Sequence, residues 1–356
     1  MQRINLLDLG RFIASLSVIL YHYFYSGVQT GYVTSIDYIE PVAHVAKYGK
    51  LGVSFFFMIS GYVIFYSALN KSAYEFLVSR MKRLYPSYWF AVLFTGIIAL
   101  LIGAGSIMEV SIKQILVNLT MLQDHLNTKE VDGVYWTLHY ELRFYLSVFF
   151  VLFLTNESIL QTILKLWPFL IAIFGWYGVF GFFFDIKFCY FSFGVLIAMY
   201  NKDKSISTAI PLAVSVLLCL IVVNVPSVTT ADYIISTILV ILFMAFFHFL
   251  RFENVRNYKI KYSFEMGALT YPIYLIHAHF GYMCLNYFAN EQNKYYVLII
   301  ILLIVFLVAY FMFKVIEFKL RVFWDSLFRL LLLPVMHLEK LFKKTNISKA
   351  LIFDKK

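Results

Sequence analysis

An arginine and a histidine stand eleven positions apart in the first apolar stretch of the chain, which runs from Asp8-Leu9-Gly10-Arg11 to Tyr21-His22-Tyr23. Eleven helical steps of about 100° come to about 1,100°, roughly 20° beyond three full turns, so Arg11 and His22 share one face of a helix. They lie about 16 Å apart along it. A guanidinium binds phosphate or carboxylate through paired donors. An imidazole titrates near neutrality, so it can take a proton and return it. Each residue alone has a plainer reading, since Arg11 can snorkel to headgroups and His22 can hydrogen-bond a neighbouring helix. Their shared face favours a joint role. Asp8, three residues before Arg11, can pair with it along the same helix.

The elements that position such a pair follow from composition. The 356 residues are 62% apolar, 20% aromatic and 14% charged, with a mean hydropathy of +0.78, whereas soluble domains carry about 25% charged residues. A water-facing surface cannot be built from this chain. Apolar runs long enough to cross about 30 Å of hydrocarbon recur throughout, which predicts an all-α, polytopic membrane helix bundle in a lipid bilayer. The first run is too long for a signal peptide and is expected to be retained. Cys189, Cys219 and Cys284 all fall in apolar runs, which suits packing better than a disulfide or a metal. With no His-Glu-x-x-His or Cys-x-x-Cys pair, no metal site is expected. Asn118-Leu119-Thr120 matches a glycosylation triplet, which chance explains at this length.

Ten runs are expected to span: Leu6–Ser26, Leu51–Leu69, Ser87–Gly103, Tyr135 to just before Asn156, Leu166–Phe184, Phe188–Tyr200, Ala209–Val225, Tyr233–Leu250, Phe264–Phe288 and Tyr295–Val315. The formal charge is +10. Most of it lies between runs, where basic residues report topology, so nucleic acid is not an expected partner. Placing basic connections inside and balanced or acidic ones outside puts both termini in the cytoplasm. A neutral turn holding Pro226 separates runs seven and eight. Residues 1–320 read as one membrane domain. Residues 321–356 read as a basic amphipathic tail, lying on an anionic inner leaflet or solvated beside it.

Several motifs carry a family resemblance. Arg11, ten residues, then His22, preceded by Asp8, resembles the first-helix signature of the acyltransferase-3 family of integral membrane O-acyltransferases. In the family's order follow Gly52-Val53-Ser54-Phe55-Phe56-Phe57-Met58-Ile59-Ser60-Gly61-Tyr62, Arg80-Met81-Lys82-Arg83-Leu84-Tyr85-Pro86-Ser87-Tyr88-Trp89, Trp136-Thr137-Leu138-His139-Tyr140-Glu141-Leu142-Arg143-Phe144-Tyr145, Tyr271-Pro272-Ile273-Tyr274-Leu275-Ile276-His277, and a closing Glu317. Thr137 stands where the family usually has Ser, and its customary proline after the closing Glu is missing at Phe318–Leu320. The absence of a fused hydrolase-like domain after the tenth run resembles the stand-alone members.

The resemblance implies transfer of an acyl group, foremost acetyl, from cytoplasmic acetyl-CoA or another acyl-CoA. The acceptor it implies is a hydroxyl of a cell-surface polysaccharide or lipid-linked glycan, with a small molecule as the alternative. It implies a bacterial inner membrane. Arg11, with Arg80, Arg83 and Lys82, would meet the donor's phosphates, although the positive-inside rule alone explains the last three. His22 would be the general base, and Glu141 would hold its tautomer or stabilise imidazolium, or else pair with Arg143. His277 would line the same cavity or bond another helix. Buried Arg, His and Glu also suit a transporter or flippase for acyl groups or lipid-linked sugars, or a sensor without chemistry.

Overall fold

The computed structural model describes residues 3–176, 181–223 and 229–344. All regular structure among them is helical, as hydrocarbon demands of a chain that must pair every backbone N–H and C=O internally. Helix α1, Asn5–Tyr21, runs on through a wide turn, His22–Ser26, to Gln29. Then come α2 (Leu51–Ala68), α3 (Ala73–Ile102), α4 (Trp136–Leu154), α5 (Glu157–Phe174), α6 (Phe188–Asp203), α7 (Ile206–Ile221) and α8 (Thr230–Phe249). Helix α9 comprises Ser263–Ile276 and Ala278–Phe288 on either side of His277, and α10, Lys294–Phe311, continues into a wide turn, Met312–Lys319. Two shorter helices, α11 (Arg321–Leu331) and α12 (Leu333–Lys344), end the described chain. Among the described residues, six helical stretches are long and apolar enough to cross a membrane by themselves. Large apolar side chains such as Leu101, Leu242, Ile299 and Leu307 face outward, as they must where the solvent is lipid.

Two helices, α3 and α5, depart clearly from the expected bounds. Helix α3 begins at Ala73, well before Ser87, so Arg80, Lys82 and Arg83 lie on a helix. Its start is set by polar groups: the Ser72 side chain accepts from the Glu75 N–H at 3.1 Å, and the Glu339 carboxylate accepts from the Ala73 and Tyr74 N–H groups at 3.0 and 2.9 Å. Helix α5 begins at Glu157, where the Asn156 side chain caps it, and ends at Phe174, so the run Leu166–Phe184 is not one helix. Residues 177–180 of that run, and Val225 and Pro226, lie outside the described residues.

The tail packs on α3 as far as Lys344. Arg329 makes a forked ion pair with Glu75 at 3.0 and 3.4 Å and meets Asp325 at 2.9 Å, while Lys82 also pairs with Asp325. Residues 345–356 lie outside the described residues.

The connections sort to two ends. At one end the Asn70 N–H donates to Glu157 at 2.9 Å, Asn5 donates to the Tyr258 carbonyl at 3.3 Å, and Lys165 lies 3.7 Å from Asp203. At the other, the Thr34 N–H donates to Asn286 at 2.9 Å, the Asp37 N–H to Glu291 at 2.6 Å, and Lys47 pairs with Asp232 at 2.6 Å. Alternate crossings require this sorting. The first set comprises the connections expected inside, and we call its side the basic end.

At the opposite end, the connection of residues 103–133 is organised by Asn118. This residue is fully buried, which leaves it no place for a glycan. Its amide donates to the Gln114 and Lys129 carbonyls at 2.9 and 3.0 Å and accepts from the Val131 N–H at 3.0 Å. Beside it, burial and the neighbouring Asp132 and Asp124 push the Glu130 carboxyl up to about 8.

Helices α2 and α6 meet backbone to backbone. A Cβ on Gly61 would fall on the Phe191 carbonyl oxygen, and one on Gly194 on the Met58 carbonyl oxygen, the close approach that small residues permit between membrane helices.

Two predictions follow from these contacts. Gly61→Leu should cost about 1–3 kcal/mol or more by overpacking and lower the thermal unfolding temperature, whereas Gly181→Ala, at an open position, should not. Because the Glu130 carboxyl binds its proton more tightly folded than unfolded, stability is greatest below its unfolded value and declines as pH rises from about 4.5 to about 8. Melting temperatures of Glu130→Gln measured across that range should lack this part of the wild-type decline.

Candidate active site

At the basic end a cavity of about 490 Å³ opens among α1, α2, α3, α4 and α9, with Arg11, Arg80, Lys82, Arg83 and Arg321 on its walls against only Glu141 and Glu317. Arg80 and Arg83 share a face of α3 because they stand three residues apart. Arg11 lies 3.9 Å from Asp8, whose other carboxylate oxygen takes Arg3 at 2.7 Å. Arg83 reaches Glu317 at 3.4 Å and lies 5.1 Å over the Tyr271 ring, while Ser87 donates to the other Glu317 oxygen at 2.6 Å. Arg80 lies 5.9 and 5.6 Å over the Phe76 and Tyr145 rings, and among the described residues it has no carboxylate partner. The cavity therefore carries excess positive charge in a largely apolar frame, a setting that suits a polyanion.

His22 opens the wide turn of α1, a feature that often marks functional positions in helices. Its Nδ1 is 2.6 Å from the Tyr282 hydroxyl. Among the described residues its Nε2 has no hydrogen-bond partner. The ring lines a second cavity, of about 250 Å³, with Tyr32, Lys50, Trp136, Tyr274, His279 and Tyr282. Val53 and Tyr274 belong to the walls of both cavities, so Arg11 and His22, on one helix, serve adjoining spaces.

His277 stands behind His22, with ring centroids 5.0 Å apart. Its Nδ1–H donates to the Tyr274 carbonyl at 2.9 Å, which leaves Nε2 a lone pair, buried and without a partner among the described residues. Its carbonyl accepts from Tyr23 at 2.6 Å. Tyr23 lies so close over Gly281 that a Cβ there would collide with the phenol. Thr137 keeps the hydroxyl of the Ser it replaces, donating to the Val134 carbonyl at 2.9 Å and meeting the Tyr274 hydroxyl at 2.8 Å.

A third cavity, of about 420 Å³, lies under the connection of residues 103–133 and shares Tyr32, Gly133 and His279 with the second. His279 ties that connection to α9: Nδ1–H donates to the Val131 carbonyl at 3.1 Å, Nε2 accepts from the Gly133 N–H at 3.1 Å, and its own N–H donates to Asp132 at 2.9 Å. The three cavities thus follow one another from the basic end to the opposite end.

Arg11, Arg80, Arg83 and Glu141 are brought to one cavity, and His22 to the next. Glu141 accepts from Tyr145 and, at 3.3 Å, from Ser60, so the group on His22 Nδ1 is Tyr282 instead. Arg143 pairs with Asp124 at 2.6 Å, not with Glu141. Sequence reading missed Tyr282 and His279, which sit in apolar or aromatic surroundings with no local signal to single them out, whereas Tyr274 fell within the late motif that ends at His277.

No curated protein and no solved structure shows a match to this chain. The acyltransferase-3 family, described as an acyltransferase domain, matches residues 4–333. With that match over nearly the whole chain, and with cations, a histidine and adjoining cavities inside a helical membrane bundle, the chain belongs to the acyltransferase-3 family and is a membrane acyltransferase.

Proposed function

We propose that the protein moves an acetyl group from cytoplasmic acetyl-CoA to a hydroxyl of a cell-surface or lipid-linked polysaccharide, in a bacterial inner membrane. The observation that carries this reading is the adjacency of the cation-lined cavity at the basic end to the cavity holding the unpaired His22 Nε2. Positive-inside charge makes the basic end cytoplasmic, where acyl-CoA is made. Arg11, Arg80 and Arg83 would hold its phosphates through charge-assisted bonds. The arm beyond the phosphates would pass Val53 and Tyr274 to bring the thioester to His22.

With Tyr282 accepting from Nδ1–H, Nε2 carries the lone pair and takes the acceptor hydroxyl's proton as its oxygen attacks the thioester carbon. The tetrahedral intermediate collapses, the C–S bond breaks, and the departing sulfur recovers the proton from the imidazolium. The products are an ester and CoA. The acceptor enters through the third cavity, where Tyr32 and Met108 give apolar faces and Gln114 and Glu130 polar groups. Glu141, held by Ser60 and Tyr145, sets the shape and charge of the donor cavity. Tyr282 is a positioning residue.

Purified protein with labelled acetyl-CoA should release CoA only when acceptor is present; label carried across a vesicle without acceptor would instead identify a transporter. Envelope glycans compared by mass with and without the gene should differ by acetyl units. His22→Ala, folded as judged by its melting curve, should lose at least about 100-fold in rate. Tyr282→Phe should lower kcat roughly tenfold with the KM for acetyl-CoA unchanged, because the phenol orients the base without touching the donor.

A further inference from the structure

The donor cavity opens at its mouth into a further hollow of about 360 Å³, and four side chains line both: Arg11, Arg83, Glu317 and Arg321. Arg83 and Glu317 answer each other, and Arg11 faces Asp8. Arg321 differs. It is the first residue of α11 and is exposed, and among the described residues it has no carboxylate within ion-pair distance. Three cations of the same arm and its landing site are neutralised, Lys82 by Asp325, Arg329 by Glu75 and Asp325, and Lys343 by Glu339, whereas Arg80, like Arg321, has no carboxylate partner among the described residues.

The helix that carries Arg321 is fixed in place. Besides those ion pairs, the Trp324 indole N–H donates to the Ile316 carbonyl at 2.7 Å, and the Trp324 and Phe328 rings each lie 5.9 Å from Trp89. Farther along the arm, the buried Glu339 caps the start of α3, the helix that bears Arg80 and Arg83. One arm therefore both sets the first turn of the arginine-bearing helix and presents an unneutralised arginine at the junction of two cavities.

We propose that Arg321 binds the phosphates at the nucleotide end of the acyl donor, which makes the C-terminal arm a wall of the donor site. This rests on the acyl-CoA reading of the same cavity. Arg11, Arg83 and Arg321 surround a junction that holds one carboxylate on its shared wall, and a planar guanidinium matches phosphate through two parallel donors. An anionic lipid headgroup offers the same phosphate chemistry, so the test excludes it by composition.

Full-length protein in nanodiscs of phosphatidylcholine, which is neutral overall, is titrated calorimetrically with CoA. Arg321→Ala and Arg321→Gln should each weaken CoA binding by at least about tenfold with an unchanged melting curve, Arg321→Lys should recover part of the loss, and Lys319→Ala, outside both cavities, should bind as wild type. Wild-type affinity in folded Arg321→Ala and Arg321→Gln would overturn the proposal, and if Arg11→Ala loses CoA in the same experiment the donor reading still stands. Folded wild-type protein that binds no CoA would overturn both.

Discussion

An ionisable side chain at the centre of a membrane helix costs at least about 2.5 kcal/mol unless a partner or a polar space receives it, and this bundle holds several near its axis. That constraint shapes the interior. Asp8 meets two arginines, Glu317 meets Arg83 and Ser87, and Glu141 meets Tyr145 and Ser60. Because partners are shared and incomplete, a positive excess survives at the basic end, and it can be satisfied only by an anion or by water. The packing elsewhere serves to hold these groups: the Gly61 and Gly194 contact draws α2 against α6, fixing the helix that supplies Ser60 and Val53.

Much of this architecture was legible because it follows from amounts rather than arrangements. Composition decides the solvent, and the sign of the connections decides which of them share an end. Helix starts were less legible, since hydropathy registers only the apolar part. Ser72 with Glu75 three residues on is a recognisable capping signal, yet half of the α3 cap comes from Glu339, more than 260 residues away. At the site, Arg11 and His22 stood out by type and spacing on one helix. Tyr282 could not, because it meets His22 across 260 residues and a tyrosine in an aromatic-rich run announces nothing.

The wide turn at His22–Ser26 shows why a regular projection was a useful but incomplete guide. Up to Tyr21 the step of α1 is regular, so the shared face of Arg11 and His22 follows from geometry. Beyond that point the turn widens, and the residues after His22 take positions that a step of about 100° does not predict. Ser26 thereby lines the His22 cavity, while Tyr23 turns the other way, against His277 and Gly281.

Three adjoining cavities lie between the basic end of the bundle and the opposite end. Here the cation-lined cavity and the cavity that holds His22 are separate, and Val53 and Tyr274 belong to the walls of both. Tyr274 is held twice, by Thr137 through its hydroxyl and by His277 through its carbonyl. The same carbonyl bond orients His277 behind His22. The side chain shared by both cavity walls and the ring that backs His22 are therefore set by one short stretch of α9. Displacing Tyr274 would also release His277, so the shared wall and the setting of the His22 ring are mechanically coupled.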